Sequence, residues 1–542
     1  MKKRMIYTVA AFTMVGGLVL TGCGGSDSNA GNVENVEIND SSNGSESETA
    51  EKVIIDTDDM FTERDLAGDY DASEAVGIRL ADDKSEADSD NVDINGNTIT
   101  IKAEGVYILS GTLSDGMIVV DAGDSDKIQL VLDNVSVTNS SSAALYVKKS
   151  NKVFVTLAKD SDNSLINSEE FAAIDDNNID GAVFAKDDIT FNGTGKLNVT
   201  SEAGHGIVAK DDLVIASGYY NIASASESHG IQAKDSVGVA GGTIEIHAGK
   251  DGIHSENSDD TSKGYVYIQN GEFAIEAGSD GISAGTTLQI DGGSVNVSTC
   301  KEGLEARDII INDGNINITA TDDGINASDG SGSGGMGGMP NGDMPDMENM
   351  PERPEGAPPA RPDRDGSNDN DSDTSDNESG ERPERPEGMP PGGHFTGEIQ
   401  DVSLTINGGT VTIDAEGDGL DSNGILTING GTVYVFGPTR GGNGAIDYAE
   451  DAVVNGGTVV AAGDSSMAEG FTENSTQAFI STGVDEQSEG GTIILKDSSG
   501  KELLNVTTSK RYDSVVVSTP DMKKGETYTL VTGDAEKEIS AD

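Results

Sequence analysis

A polar residue followed by glycine and then an apolar residue recurs seven times between residues 180 and 325. The successive glycines are 25, 24, 22, 29, 22 and 21 residues apart. A period this short, with no helical spacing inside it, is typical of a solenoid of stacked coils. The copies are Asp180-Gly181-Ala182, His205-Gly206-Ile207, His229-Gly230-Ile231, Asp251-Gly252-Ile253, Asp280-Gly281-Ile282, Glu302-Gly303-Leu304 and Asp323-Gly324-Ile325.

Within each copy, apolar residues alternate with polar ones on both sides of a turn. Leu288-Gln289-Ile290 is followed by Asp291-Gly292-Gly293 and then by Val295-Asn296-Val297. Alternation with a period of two predicts β-strands. A period of about 22 residues leaves room for three short strands and no helical return. We therefore predict an all-β fold, a right-handed parallel β-helix of roughly 14 coils stacked at roughly 4.8 Å.

The composition agrees with a solenoid and excludes several classes of partner. Only 34% of the 542 residues are hydrophobic, and each coil of a solenoid needs only a few inward apolar side chains. The net charge of -62 repels nucleic acid and anionic lipid and attracts cations. The two cysteines, Cys23 and Cys300, give no disulfide framework. Cys300 ends a strand pattern, so we expect a small buried residue there.

The N-terminus predicts export and lipid anchoring. A basic start and an apolar run to Leu20 are typical of a signal peptide, over residues 1–22. Leu20-Thr21-Gly22-Cys23 resembles the lipobox of bacterial lipoproteins, which implies lipid attachment at Cys23. A plain secretory signal with an incidental cysteine is the alternative. We expect an extracytoplasmic protein anchored to the outer face of the bacterial cell membrane, with residues 23–50 as a disordered tether.

The remaining chain divides by its repeat. We predict an N-terminal cap at 51–91, coils at 92–327, an insertion at 328–398, further coils at 399–470 and a C-terminal β cap at 471–542. The insertion holds 11 of the 13 prolines and has no strand or helix period, so we expect disorder. Its methionines, among them Met336, Met339 and Met344, resemble thioether clusters that hold Cu(I), although ordinary low-complexity linkers have the same composition.

The residues before the repeated glycines predict a calcium-binding row. In a parallel β-helix, equivalent positions of successive coils stack, and like charges at that spacing repel unless cations lie between them. Carboxylate oxygens are the ligands that Ca²⁺ prefers. Alternatively, these residues only shape the turn before a glycine in the left-handed conformation. The candidate ligands are Asp180, Asp251, Asp280, Glu302, Asp323 and Asp418, and His205 and His229 share their row.

A second row is basic. Lys186, Lys210, Lys234 and Arg307 each follow a repeated glycine by four or five residues and precede an aspartate. These side chains are candidates for gripping sugar carboxylates or hydroxyls, or else they neutralise neighbouring acids. Because the chain has no tryptophan, stacking on sugars would depend on tyrosines, of which Tyr219 and Tyr220 are the densest pair. The histidines show no zinc spacing, since no cysteine or third histidine joins His205 and His229.

Several motifs together resemble the clostridial carbohydrate-binding β-helix family. They are the Asp-Gly-Ile and Asn-Gly-Gly-Thr-Val repeats, the Met-Pro-Gly-Asp insertion, Ser475-Thr476-Gln477 and the closing Gly525-Glu526-Thr527-Tyr528-Thr529-Leu530. The likeness covers roughly residues 55–540 apart from the insertion. It implies a polysaccharide-binding, calcium-containing β-helix that is similar in shape to pectate lyases.

We therefore expect a monomeric, non-catalytic cell-surface lipoprotein that binds acidic polysaccharide, such as polygalacturonate, with calcium. Cellulose is a second candidate ligand. Two alternatives remain open, a pectate-lyase-like enzyme and a structural rod or adhesin. The lyase would need a basic residue placed to take a proton from a sugar carbon, and no local sequence resembles the lyase active-site motifs.

Overall fold

A computed structural model describes residues 52–58, 60–330 and 399–542. These residues form 41 β-strands and one short helix, α1 (Glu63–Ala67). No helix among them is long and apolar enough to cross a membrane. The predicted signal peptide, the lipid attachment at Cys23, the tether and nearly all of the insertion lie outside the described residues.

The strands before the insertion form most of the coils. In chain order they are β1 (Val76–Leu80), β2 (Glu86–Ala87), β3 (Val92–Asn95), β4 (Thr98–Ile101), β5 (Gly105–Leu113), β6 (Met117–Asp121), β7 (Lys127–Asn139), β8 (Leu145–Lys149), β9 (Lys152–Leu157), β10 (Asp162–Asn167), β11 (Gly181–Ala185), β12 (Asp188–Gly193), β13 (Lys196–Ser201), β14 (His205–Ala209), β15 (Asp212–Ile215), β16 (Tyr219–Ser226), β17 (Ile231–Ala233), β18 (Ser236–Val239), β19 (Thr243–Gly249), β20 (Ile253–Ser255), β21 (Tyr265–Ile268), β22 (Glu272–Ala277), β23 (Ile282–Ile290), β24 (Ser294–Thr299), β25 (Leu304–Ile311), β26 (Asn315–Ala320) and β27 (Ile325–Ala327).

The strands after the insertion complete the coils and form the C-terminal cap. They are β28 (Ser403–Ile406), β29 (Thr410–Ala415), β30 (Leu420–Ser422), β31 (Ile425–Ile428), β32 (Thr432–Phe436), β33 (Ile446–Tyr448), β34 (Asp451–Val454), β35 (Thr458–Gly463), β36 (Phe479–Gln487), β37 (Thr492–Lys496), β38 (Glu502–Thr507), β39 (Tyr512–Ser518), β40 (Thr527–Thr532) and β41 (Ala535–Ser540).

The coils stack into three parallel ladders, which confirms the predicted right-handed β-helix. The first ladder runs β4-β6-β8-β11-β14-β17-β20-β23-β25-β27-β30-β33. The second runs β1-β5-β7-β9-β12-β15-β18-β21-β23-β25-β28-β31-β34. The third runs β5-β7-β10-β13-β16-β19-β22-β24-β26-β29-β32-β35.

The β-helix has about 12 turns, fewer than the 14 predicted. The difference arises in the first coils, which are longer than the repeat that follows them. Leu145 pairs with Val183, 38 residues further on, because a loop over residues 168–180 lengthens that coil. The later coils keep the short period, as in the pairing of Leu304 with Ile325.

The core is a stack of buried, mainly aliphatic side chains that come from all three ladders. Ile253, Ile282, Leu304, Ile325 and Leu420 lie directly above one another in the first ladder and are fully buried. Burying each such side chain contributes about 1.5–3 kcal/mol. Cys300 is also buried, as predicted, and burial raises the pKa of its thiol to about 12.

The repeated glycines are required by close packing. A Cβ added at Gly303 would lie 2.4 Å from the carbonyl oxygen of Gly324 and 2.4 Å from Cγ2 of Ile318. Gly252 and Gly281 approach the next coil in the same way, and none of the three has a positive φ. The alternative predicted from the sequence, that these glycines adopt a left-handed turn conformation, is therefore wrong at these positions. Glycine is required instead because the next coil leaves no room for a Cβ atom.

The C-terminal end is closed by antiparallel strands. Strand β39 pairs antiparallel with β35, the last strand of the third ladder, and with β36. A separate four-stranded antiparallel sheet, in the order β38-β37-β40-β41, packs a second apolar cluster around Ile493, Tyr512 and Leu530. These strands occupy the region in which the sequence predicts a C-terminal β cap.

The segment at residues 52–69, which we call the N-terminal strap, crosses the outer face of the second ladder. It contacts strands from β25 back to β7, while β1, β2 and the β3–β4 hairpin follow at the N-terminal end of the coils. Its contacts are Lys52 Nζ to Asp308 Oδ1 (2.8 Å), Thr287 Oγ1 to the Val53 carbonyl (2.8 Å), Phe61 stacked on Tyr267 (5.8 Å between centroids), Thr190 Oγ1 to Asp65 (2.6 Å) and Gln129 Nε2 to the Asp69 carbonyl (3.0 Å). The strap therefore covers most of the second ladder.

Candidate functional site

The residues that precede the repeated glycines form one continuous row along the first ladder. Gly206 N–H donates to the His229 carbonyl, and each later glycine donates to the residue that precedes the glycine of the next coil. The predicted stacking is therefore present. The carbonyls that accept from these glycine N–H groups are, in order, those of His229, Asp251, Asp280, Glu302, Asp323 and Asp418. At the start of the row, the His205 N–H donates to the Asp180 carbonyl.

A second row runs beside the first and was missed by the sequence analysis. It consists of the first-ladder residues in register with Gln232, a half-buried residue that lies two positions after Gly230 and between two buried neighbours. His254, Asn326 and Asp421 have the same position and the same burial pattern. At the N-terminal end of the row, Tyr146, Phe184 and Val208 are buried. The regular spacing from the glycine was the signal that could have revealed it. From the register, its members are Tyr146, Phe184, Val208, Gln232, His254, Ser283, Glu305, Asn326, Asp421 and Asp447.

The two rows bring acids together in a triad formed by Asp280, Glu302 and Glu305. One carboxylate oxygen from each lies within 4.8 Å of the others. Burial, followed by repulsion from Asp251 and Glu305, raises the pKa of Asp280 to about 7. Burial and the charge of Asp280 raise the pKa of Glu302 to about 7, and the pKa of Glu305 is also raised, mainly by burial. These carboxylates therefore resist ionising together.

A second triad, Asp323, Asp418 and Asp421, lies on the following coils with the same spacing. Burial and the negative charges of neighbouring aspartates raise the pKa of Asp323 and of Asp418 to about 7. The pKa of Asp421 is raised well above its usual range, again by burial first. Backbone N–H groups compensate in part, because Asp418 N–H donates to Oδ1 of Asp323 at 2.6 Å.

Asn326 occupies the second row between the two triads. It pairs in register with Glu305 on one side and with Asp421 on the other. Its Nδ2 donates to Oε2 of Glu302 at 3.0 Å, while its Oδ1 is buried and has no hydrogen-bond partner. An amide oxygen is a normal ligand for Ca²⁺, so this atom fits the chemistry of the acids around it.

The middle of the row has a different chemistry from the two triads. Nδ1 of His229 and Nδ1 of His254 lie 3.1 Å and 2.9 Å from Oδ2 of Asp251. Burial alone would raise the pKa of Asp251, but the contacts with the two imidazoles lower it well below its usual range. His254 is the third histidine that the sequence analysis did not find, because it lies in the second row. Asp251 is therefore not part of an all-oxygen calcium site.

Three of the four side chains in the candidate basic row, those of Lys210, Lys234 and Arg307, contact aspartate residues. Lys210 Nζ lies 3.7 Å from Asp180, and Lys234 Nζ lies 2.6 Å from Asp259. Arg307 donates to the backbone carbonyl of Asp401 at 3.1 Å and 3.2 Å. Lys186 is exposed. Asp180 therefore belongs with Lys210 rather than with the acidic triads, although burial raises its pKa.

The tyrosine pair lies on the third ladder, away from both rows. Tyr219 is 56% exposed, whereas Tyr220 is only 3% exposed and donates its hydroxyl to the Ser217 carbonyl. Tyr220 is therefore wrong as a sugar-binding candidate, because alternation along β16 turns its ring into the core. Tyr219 is available to solvent, but on a different face from the acids.

Taken together, these features define a parallel β-helix with a strip of half-buried acids along one face. A family model described as carbohydrate-binding domain-containing protein matches residues 95–343, which include most of the coils before the insertion. A "Carbohydrate-binding domain-containing protein" of Acetivibrio thermocellus is 37% identical over 148 residues, covering 26% of this chain and 52% of the relative. The chain thus spans about half the length of that curated relative.

One solved structure is also similar, and its title is "Structure of the polysaccharide lyase-like protein from C. thermocellum, Gadolinium derivative". It is 35% identical, and the match covers 43% of this chain and 93% of that chain, with a TM-score of 0.41. Over residues 95–343, this chain is similar in sequence to the family of carbohydrate-binding domain-containing proteins.

Proposed function

We propose that this protein binds an acidic polysaccharide, such as polygalacturonate, along the outer face of the first ladder, with calcium held by the two acidic triads. The observation that carries the proposal is the pair of triads, Asp280/Glu302/Glu305 and Asp323/Asp418/Asp421. The match to carbohydrate-binding domain-containing proteins supports a polysaccharide as the ligand.

The electrostatics of the triads support calcium as the cofactor. Three carboxylates at this spacing cannot all be charged without a cation, and the pKa of four of them, Asp280, Glu302, Asp323 and Asp418, is about 7. The grouped ligand atoms of both triads are carboxylate oxygens, and the unpartnered Oδ1 of Asn326 adds an amide oxygen, which suits Ca²⁺ rather than a softer metal. When bound, calcium would supply positive charge between the acidic strip and a negatively charged polymer.

The arrangement of the coils favours the first ladder as the binding face. The N-terminal strap covers the second ladder, as the contacts of Lys52 and Phe61 show. The third ladder presents mainly hydroxyl, amide and scattered acidic side chains, and Tyr219 and His247 are among its exposed rings. From Asp280 to Asp421 the first ladder has carboxylates on successive coils, so this part of the ladder offers an extended polymer repeated contacts.

We propose binding without catalysis. The hydrogen bonds that the described residues make to Glu302 and to Asp323 come from the Asn326 amide and from the Asp418 backbone N–H, and neither group is a base. A lyase needs a basic residue beside its metal-binding carboxylates to take a proton from the sugar, and these neighbours would not supply one. Lyase activity remains the alternative, and a purely structural rod is another. Release of unsaturated sugar products, followed by their ultraviolet absorbance, would establish the lyase.

We also propose that the protein is a monomer held on the outer face of the cell membrane by a lipid on Cys23. The support is the lipobox-like Leu20-Thr21-Gly22-Cys23 after an apolar run. Expression of the full chain and of Cys23→Ala in a bacterial host, followed by detergent phase partitioning, tests this. The parent should enter the detergent phase and the variant the aqueous phase. Equal partitioning would contradict the proposal.

The central test is binding to polygalacturonate and to cellulose, with and without a calcium chelator. We expect calcium-dependent retention by polygalacturonate, with weaker retention by cellulose. The double variant Asp323→Asn/Asp421→Asn should lose the part of the calcium-dependent binding that the second triad supplies, while Asp280/Glu302/Glu305 keeps its own part. The matched control is Glu272→Gln, an exposed acid on the third ladder, which should bind as the parent does. If chelator and the double variant both leave binding unchanged, neither calcium nor the first ladder serves this function.

A further inference from the structure

We propose that His229, Asp251 and His254 bind a transition-metal ion of the Zn²⁺ type, at a site separate from the calcium-binding triads. The site lies on two neighbouring coils: His229 comes just before β17, Asp251 just before β20, and His254 is the middle residue of β20. Nδ1 of each imidazole and Oδ2 of Asp251 converge on one point, with all three atoms within 4.8 Å of one another.

The separations match those around a tetrahedral zinc ion. Zinc bonds of about 2.0–2.1 Å to nitrogen and oxygen, at tetrahedral angles, place neighbouring ligand atoms about 3.3 Å apart. The two Nδ1 atoms lie 3.1 Å and 2.9 Å from Oδ2 of Asp251. Despite these short distances, neither Nδ1 has a hydrogen bond of acceptable geometry. The two Nδ1 atoms and Oδ2 of Asp251 are therefore close enough to share one ion.

The surrounding contacts hold the three ligands in place without using the converging atoms. Asp280 N–H donates to Oδ1 of Asp251 at 3.2 Å, which leaves Oδ2 for the metal. The rings of His229 and His254 stack with centroids 4.3 Å apart, and Nε2 of His254 lies 3.6 Å from Oε2 of Glu256. A carboxylate behind a ligating imidazole is the usual orienting partner in zinc sites.

Burial makes the site rigid, and its ligand atoms determine which metal it prefers. Asp251 is 2% exposed and His229 is 4% exposed, so both ligands are fixed by packing. Two imidazole nitrogens and one carboxylate suit zinc or another late first-row ion, whereas calcium takes six to eight oxygens. Three protein ligands leave a fourth tetrahedral position for water or for a ligand oxygen.

One neighbour opposes metal binding and therefore provides a test. Nζ of Lys250 lies 3.5 Å from Nε2 of His229. When Nδ1 of His229 binds a metal, Nε2 carries the proton, and the lysine ammonium then faces an N–H of the same sign. Lys250 is exposed and has room to move. Replacing it should strengthen metal binding by removing this repulsion.

The experiment titrates the purified, chelator-treated chain with Zn²⁺ against a colorimetric zinc chelator, in excess Ca²⁺. We expect one ion per chain at this site. His229→Gln and His254→Gln should each weaken it by about 10-fold to 100-fold or more, and Lys250→Gln should tighten it. The matched controls are His247→Gln, at an exposed third-ladder histidine, and His394→Gln, outside the described residues.

A spectroscopic readout keeps the result independent of affinity. Co²⁺ in a tetrahedral site gives visible absorption, which should appear in the parent and in His247→Gln and be lost in His254→Gln. Circular dichroism would verify that each variant is folded. Zinc binding that survives in both His229→Gln and His254→Gln, or full displacement of zinc by millimolar Ca²⁺, would overturn the proposal. Calcium-dependent binding of the same variants to polygalacturonate should be measured separately, because it tests the calcium proposal and does not depend on the zinc site.

Discussion

Nζ of Lys52 lies 2.8 Å from Oδ1 of Asp308, although 256 residues separate them in the chain. This contact fixes one end of the N-terminal strap against a coil of the second ladder. At the other end of the strap, Nε2 of Gln129 donates to the carbonyl of Asp69. The strap therefore ties many coils together from outside, and a solenoid otherwise has only contacts between neighbouring coils.

The first prediction concerns Asp65, the centre of the strap. Its carboxylate accepts from Thr190 at 2.6 Å and pairs with Lys152 at 2.8 Å, and it is 1% exposed. Asp65→Ala leaves the largely buried Lys152 unpaired, so the free energy of unfolding should fall by about 3–5 kcal/mol. Urea unfolding measures this. The exposed neighbour Glu63 supplies the control, and Glu63→Ala should change stability by only about 0.5 kcal/mol.

The second prediction concerns the close approach of successive coils at Gly303. A Cβ there would meet the Gly324 carbonyl and Ile318 at 2.4 Å. Gly303→Ala should therefore lower the free energy of unfolding by about 1–3 kcal/mol, because the coils must separate. Gly77→Ala is the control, since no atom lies within 4 Å of its added Cβ. Equal stability of the two variants would contradict the packing explanation.

The third prediction is a pH dependence of stability in chelator. The pKa of Asp323 is about 7 in the folded chain, against 3.8 for an unperturbed aspartate. The folded state therefore holds a proton that the unfolded state loses between these values, and stability falls as pH rises from about 4 to about 7. Asp323→Asn removes this contribution. The difference in unfolding free energy, variant minus parent, should thus grow more positive over that range, whereas a flat difference would exclude the raised pKa.

The fourth prediction concerns the same triad with calcium present. Asp421→Asn should stabilise the chelated protein at pH 8, because it removes one of three mutually repelling carboxylates. It should also reduce the gain in melting temperature on adding Ca²⁺, because only the Asp280/Glu302/Glu305 triad then keeps its three carboxylates. For the parent, calcium at about 100 times its dissociation constant would add about 2.7 kcal/mol. Calorimetry with and without chelator checks both effects, and Glu272→Gln should reproduce the parent in each condition.

The repeated part of the fold was predictable because the sequence period is the coil itself. Successive copies of polar residue and glycine must stack once the strands are parallel, so the row from Asp180 to Asp418 followed from the sequence. The number of turns did not follow, since the long coil between Leu145 and Val183 breaks the period. The reason for the glycines was also missed, because a close approach such as that of Gly303 to Gly324 depends on the neighbouring coil.

The candidate site was predictable only in part. The acids before the glycines were visible, but Glu305, Asn326 and Asp421 were not, because their position varies from aromatic to acidic along the ladder. His254 lies in this second row, whose residue type changes from coil to coil, and the sequence therefore did not predict that it would join His229. The strap could not be predicted at all, since the contact of Lys52 with Asp308 has no periodic signal in the chain.

The two ends of the insertion meet at the surface of the β-helix. Asp329 N–H donates to Oε1 of Gln400 at 2.9 Å. Strand β25 pairs with β28 in unbroken register, although residues 312–402 lie between them in the chain. Because the described chain leaves and returns at one point, lengthening or replacing the segment between these ends should add only a slowly growing loop-closure cost. This position is therefore suited to protein engineering: a fluorescent reporter or an affinity module could replace the native segment while the stacked scaffold keeps its shape.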